Sequence, residues 1–154
     1  MQQILKTIRL FDGLDDRALN ALSAIMTLKK YTIGQAIIQQ NSQPDGIYIL
    51  LSGEVQIKVK TSTGAIVVID TISKGAVFGT LSAMDRKLRG ATCAAKADVQ
   101  VGFISLSDFQ DLMQGSSPLA LGFQIALLRS IFHEIRKTNL QLSELSSLTP
   151  YIIT

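Results

Sequence analysis

The 154-residue sequence has one cysteine, one histidine, three prolines and no tryptophan. A lone Cys93 excludes an internal disulfide. A lone His133 excludes a metal centre of the kind built inside jelly rolls, which takes several His and carboxylate ligands projecting into one barrel. His133 falls in a helical stretch and reads as a surface or packing residue. Nothing pairs it with Cys93 as a base for a nucleophile, and Cys93 sits in an apolar strand, where it reads as a small buried hydrophobe. No paired carboxylates stand at a telling position. The expectation is a non-enzyme without cofactor or metal.

Charge of either sign is also scarce. Asp, Glu, Lys and Arg make up 18% of the residues, with 15 basic against 12 acidic and a net charge of +3. The basic groupings, Lys29-Lys30, Arg86-Lys87 with Arg89, and Arg136-Lys137, are too short to mark a nucleic-acid tail. Long apolar runs are missing as well. No window approaches the roughly 18 apolar residues of a membrane span, and the opening MQQILKTIRLF lacks the apolar core and cleavage site of a signal peptide. These absences point to a cytoplasmic protein with no membrane association. At 47% hydrophobic residues, the chain is not a disordered one and is long enough for a real core.

What is present is a rhythm of short strands. Asp15 or Asp16 caps a helix carrying Leu19, Leu22, Ile25 and Met26 on one face. From Lys30 to Leu106 the period drops to two: YTI, AIIQQ, IYILL, EVQIKVK, AIVVIDTI, ATCAAKA and VQVGFISL read as strands. Turn signals separate them at Ile33-Gly34, Gln43-Pro44-Asp45-Gly46, Ser52-Gly53, Thr63-Gly64 and Lys74-Gly75. The spacing predicts a mainly β fold, a small β-barrel or jelly roll with flanking helices. Ser107 caps a short helix, SDFQDLM, and Pro118 opens a long one to about Leu148. Along it Leu121, Ile125, Leu128, Phe132, Ile135, Asn139 and Leu142 recur in steps of four and three, a heptad seam. Its polar Asn139 favours pairing with a second copy over packing on the chain's own barrel. A second stripe, Leu127 and Ile131, is left to face the barrel.

One stretch carries chemistry: FGTLSAMDRKLRGATC, from Phe78 to Cys93. Gly79 permits close backbone approach, a helix start offers free N–H groups, and Arg89 can grip a phosphate with two parallel bonds. By spacing alone this is also a tight turn with an exposed arginine.

Residues 10–113 resemble the cyclic nucleotide-binding domain family. LFDGLDDRALNAL is similar to its opening helix, and YTIGQAIIQQNSQPDGIYILLSGEVQI to its first barrel half. FGTLSAMDRKLRGATC is similar to its phosphate-binding cassette, with no gap between Gly79 and Thr92. The long helix resembles the dimer helix of bacterial regulators of the cAMP receptor protein type. The resemblance implies that Arg89 pairs with a cyclic phosphate and that Gly79, Leu81, Ser82, Gly90, Ala91 and Thr92 surround phosphate and ribose. Where the family carries an acid for the ribose 2′-hydroxyl, this chain has Thr80. Asn41 takes a usual glycine position, Gly90 lacks a hydroxyl that some members use, and Asp85 stands ready to compete for Arg89. Nothing that follows the seam reads as a helix-turn-helix, so no DNA binding is expected from this chain alone.

The expected organisation is a barrel with its N-terminal helix over 1–114, a dimerisation helix over 115–148 and a tail over 149–154. The expected function is a homodimeric regulatory module. It would sense cAMP or cGMP weakly and signal by helix rearrangement to an unidentified protein partner. The alternatives are a degenerate domain serving as a dimeric interaction scaffold, and a receptor for another anionic small molecule.

Overall fold

The computed structural model describes residues 1–148; the tail and Pro150 lie outside the described residues. Two four-stranded antiparallel sheets face each other. One has the order β1 (Met26–Tyr31), β8 (Val99–Ser105), β3 (Gly46–Ser52), β6 (Val77–Phe78). The other runs β2 (Ala36–Ile38), β7 (Thr92–Ala95), β4 (Glu54–Lys60), β5 (Ile66–Ser73). Helices α1 (Gln2–Leu5), α2 (Asp16–Ile25), α4 (Leu106–Gln114) and the start of α5 (Pro118–Leu148) cover the outer face of the first sheet, and α3 (Thr80–Asp85) follows β6. The jelly roll with flanking helices and a long last helix is as expected.

IYILL explains the layering. In β3 every residue from Gly46 to Leu51 is buried, so the strand shows no alternation of polar and apolar residues. Ile47, Ile49 and Leu51 enter the cluster that holds Leu22, Phe109 and Phe123 from the helices. Tyr48 and Leu50 point the other way, to Val55, Cys93 and Val101 between the sheets. Sheet one is therefore a middle layer with a separate core on each side.

Element ends differ from the sequence pattern where tertiary pairing competes. Met26 opens β1 instead of closing the helix, because it pairs with Ile104 and inserts against Gly102, where any Cβ would collide with its methyl group. Of YTI only Tyr31 is strand, the last residue of β1. The two-residue β6 carries no periodic signal in the sequence and is absent from the expected strands. Helix α4 is capped two residues earlier than expected, by Ser105 and not Ser107: its Oγ accepts from the Asp108 N–H at 3.1 Å. Asp15 caps α2 through the Ala18 N–H at 2.8 Å.

Helix α5 presents two faces. Ala120, Phe123, Ala126 and Leu127 are buried against the helical layer, and Ile131 packs on its edge. The seam faces outward instead: Leu121, Ile125, Leu128, Phe132, Ile135 and Leu142 are between 48% and 56% exposed, and Asn139 is exposed with them. The seam is therefore not used to pack on the chain's own barrel. On the edge strand β5, Ile66, Val67, Val68 and Ile69 are also exposed, and Lys137 ties α5 to this strand with a 2.7 Å bond to Asp70.

Burial pushes the Cys93 thiol up to about 11, against an ordinary 9.0, although the Arg89 charge opposes the shift. The folded chain holds this proton more tightly than the unfolded one. The stability it contributes is therefore present below about pH 9 and lost as pH rises toward 11. At pH 8 the native thiol should react with iodoacetamide about 100-fold or more slower than in urea; comparable rates would contradict this burial.

Candidate functional site

The cassette is built around Arg89, which is 3% exposed although charged. Its Nη1 donates to the Gly79 carbonyl at 2.6 Å and to Ser82 Oγ at 2.8 Å. Its Nη2 donates to Asp45 Oδ1 at 2.9 Å and to the Gly46 carbonyl at 2.7 Å. All four terminal N–H groups of the guanidinium are engaged, and of its five donors only Nε–H remains. A buried charge needs this degree of pairing, since removal from water costs several kcal/mol.

Backbone conformation brings these acceptors together. Gly79 has φ +79°, a left-handed value that ends β6 and starts α3. A Cβ there would also stand 2.7 Å from Arg89 Nη1 and 3.0 Å from Ile38, so glycine is required both for the turn and for the arginine. Asn41 adopts φ +67°, in keeping with its expected tolerance of left-handed geometry. It accepts the loop into register: Asn41 N donates to the Arg89 carbonyl at 2.8 Å, and Arg89 N to the Ser42 carbonyl at 2.9 Å. Thr92 Oγ1 accepts from Gln40 N at 3.0 Å. The loop 39–42 thus braces the segment 89–92.

The sequence-chosen residues divide into two groups. Gly79, Ser82 and Arg89 meet directly. Thr80 is half-buried at the first position of α3, Gly90 is exposed, and Ala91 and Thr92 are half-buried where β7 begins. The Leu81 side chain is 77% exposed and makes none of Arg89's four hydrogen bonds. Around Gly90 a Cβ would meet nothing within 4 Å, so the missing hydroxyl of that position leaves open space and causes no rearrangement.

Asp85 is not the carboxylate that competes for Arg89. It caps the Lys87 N–H at 3.0 Å, because Arg86 turns the chain out of α3 in left-handed conformation, φ +58°. Asp45 takes that part, and the sequence had shown it only as a turn residue. Its other oxygen, Oδ2, accepts from the Tyr48 hydroxyl at 2.9 Å. Burial and Asp45 raise the Tyr48 phenol well above its ordinary value, so it stays a donor. Tyr48 is fixed in turn between Phe78 and Phe103, with ring centroids 5.4 and 5.1 Å away.

Removing the arginine would take one hydrogen bond each from Asp45 Oδ1, Ser82 Oγ and the Gly46 and Gly79 carbonyls, while Asp45 Oδ2 keeps the Tyr48 hydroxyl. Arg89→Ala should therefore lower the unfolding free energy by roughly 1–3 kcal/mol through the lost hydrogen bonds, since the remaining Asp45 carboxylate is more than half exposed and stays solvated, and Arg89→Lys by less, since an ammonium restores charge but not the planar fork. Exposed Arg86→Ala should stay within about 0.5 kcal/mol. Urea unfolding measures all three, and equal losses would contradict a special place for Arg89.

Comparison with known proteins agrees with this geometry. The family model described as "Cyclic nucleotide-binding domain" matches residues 28–116, more than half of the chain. The cAMP-dependent protein kinase regulatory subunit of Aspergillus fumigatus is 34% identical over 94 residues, which is 61% of this chain and 21% of that protein. The corresponding subunit of Mycosarcoma maydis is 26% identical over 110 residues, 70% of this chain and again 21% of that protein. The chain thus spans about a fifth of these two relatives. A cyclic nucleotide-binding domain from Methylobacillus flagellatus superposes with a TM-score of 0.81 at 20% identity, covering 93% of this chain and 80% of that one. The Catabolite Activator Protein of Thermus thermophilus gives 0.72 at 25% identity over 89% of this chain and 62% of that one. By the matched residues and by the fold they build, this chain belongs to the cyclic nucleotide-binding domain family.

Proposed function

We propose that the chain is a regulatory sensor in which Arg89 receives the phosphate of cAMP or cGMP. The observation that carries the reading is a buried arginine held in one orientation by Gly79, Ser82, Gly46 and Asp45. A phosphate reaches it through Nε–H, or by exchanging with Asp45. Of the four acceptors, Asp45 is the one that shares the phosphate's charge, and its side chain is more than half exposed. Gly79, Thr80, Leu81, Ser82, Gly90, Ala91 and Thr92 supply the surrounding backbone and hydroxyls. The relatives described above include regulatory subunits of cAMP-dependent kinases, which favours signalling to a protein partner over catalysis. The chain has no helix long and apolar enough to cross a membrane among the described residues, in line with a cytoplasmic role.

Binding is weak on this reading. Thr80 offers a neutral oxygen to the ribose hydroxyl, and the loss of a charge-assisted bond costs roughly 1–3 kcal/mol, about 10- to 150-fold in affinity. Thr80 and the full engagement of Arg89's terminal N–H groups favour a second reading, a scaffold that binds no nucleotide.

Calorimetry with cAMP and cGMP separates the two. Thr80→Glu should tighten binding about tenfold or more. Arg86→Ala should change little, and Arg89→Lys should weaken binding at least about tenfold through loss of the fork. If folded Thr80→Glu protein binds neither nucleotide, the scaffold reading stands.

The exposed seam supports a homodimer through Leu121, Ile125, Leu128, Phe132, Ile135, Asn139 and Leu142, with helix rearrangement as the output. Light scattering should show a dimer of the 16.7 kDa chain. Asn139→Leu should raise stability while broadening the choice of oligomer, because a buried polar pair costs energy but excludes other registers. A monomer at all micromolar concentrations would overturn the dimer.

A further inference from the structure

A cleft of about 590 Å³ opens between the 3-10 turn Arg9–Phe11, the β5–β6 turn and the middle of α5. No cassette residue from Phe78 to Thr92 lines it. Its charged and titratable lining is Arg9, Lys74, Arg129, His133, Glu134 and Lys137. Arg129, His133 and Lys137 follow one another at four-residue spacing, so they stack on one face of α5. Arg129 and Lys137 are the two cations of this stack. Here the stack is brought against two further cations from other elements.

The local carboxylates do not balance this charge. Lys137 is paired with Asp70 at 2.7 Å. Glu134 is the one acidic residue in the lining. Among the described residues, Arg9, Lys74 and Arg129 form no ion pair. The hydroxyls of Thr71, Ser73 and Ser130 lie in the same lining. A concave site with an excess of one sign concentrates the opposite ion, and two guanidinium forks with an ammonium suit oxygens spread over several phosphorus centres.

We propose that this cleft is a second ligand site, for a small anion carrying two or more phosphates. The volume lies in the usual range for small-molecule sites, and three separate chain segments contribute a cation each, which favours a multivalent anion over a single phosphate. Such a ligand bridges α5 to the β5–β6 turn. Gly75 and Ala76 line the cleft; the next residues, Val77 and Phe78, form β6, and Gly79 holds Arg89 through its carbonyl. A ligand here therefore acts on both the last helix and the cassette, and any coupling to a cassette ligand is reciprocal. The proposed site stands whether or not the cassette proves to bind a nucleotide.

Sodium tripolyphosphate is a direct probe, titrated into the full chain at low ionic strength and followed by calorimetry and backbone amide NMR. We expect one saturable event per chain, with the amide shifts concentrated at Lys74–Ala76 and Arg129–Lys137. The Lys74→Ala/Arg129→Ala double variant should weaken it at least about tenfold. The Arg86→Ala/Lys87→Ala variant removes the same charge outside the cleft and should leave it within about twofold. Both pairs are exposed, and matching thermal unfolding confirms that neither misfolds. Three results would overturn the site: no saturable binding, equal weakening by both double variants, or shifts centred on residues 79–92 that cAMP displaces.

Discussion

The burial of one guanidinium organises much of this molecule. Arg89 is inside because four acceptors from three parts of the chain meet it: Asp45 just before β3 and Gly46 at its start, Gly79 after β6, and Ser82 on α3. Each of those positions has a further constraint. Gly79 must be left-handed and lack a side chain. Asp45 must also hold Tyr48, whose ring is fixed by Phe78 and Phe103. Gly46 must have no Cβ because its backbone runs against the Ile104 carbonyl and the Phe103 ring. A charge that would be costly alone becomes the tie between the cassette and the central strand.

That tie makes the barrel suitable for reporting a ligand. A group that draws on Arg89 competes with contacts that also position β3, β6 and α3. β3 is buried on both faces, so displacement there is resisted by two cores at once. The more easily altered elements are at the edges: α3, with its exposed Leu81 and Met84, and the outer face of α5. The seam on α5 and the apolar edge of β5 lie on elements joined by the Lys137–Asp70 pair. The cationic cleft occupies the same junction. Helix α5 is accordingly the element where packing, proposed pairing and excess charge meet.

Much of the architecture was legible from local pattern because the responsible forces are local. Turn glycines at 34, 53, 64, 75 and 79 all have positive φ, a conformation that other residues adopt only with strain. EVQIKVK became β4, since alternation suits a strand half buried on one face. The spacing of Leu127 and Ile131 against that of the seam separated the inward from the outward face of α5. Legibility failed where partners are remote. The short β6 is made by pairing with Tyr48 and Ile49, and Met26 changes from helix to strand by pairing with Ile104.

The site divides along the same line. The amino-acid order alone determined that a glycine, a short small-residue segment and an arginine follow one another; the resemblance to the family added that the interval matches a phosphate cassette and that Thr80 stands where that family carries an acid. Those are properties of residue type and interval. Only the tertiary structure decided which carboxylate meets Arg89. Asp85 is four residues away but turns toward Lys87, whereas Asp45, 44 residues distant, arrives at 2.9 Å. The same holds for the cleft, whose cations come from residues 9, 74 and 129. Electrostatic partners are chosen by distance in space, and that distance exists only once the two cores have set the strands and helices against each other.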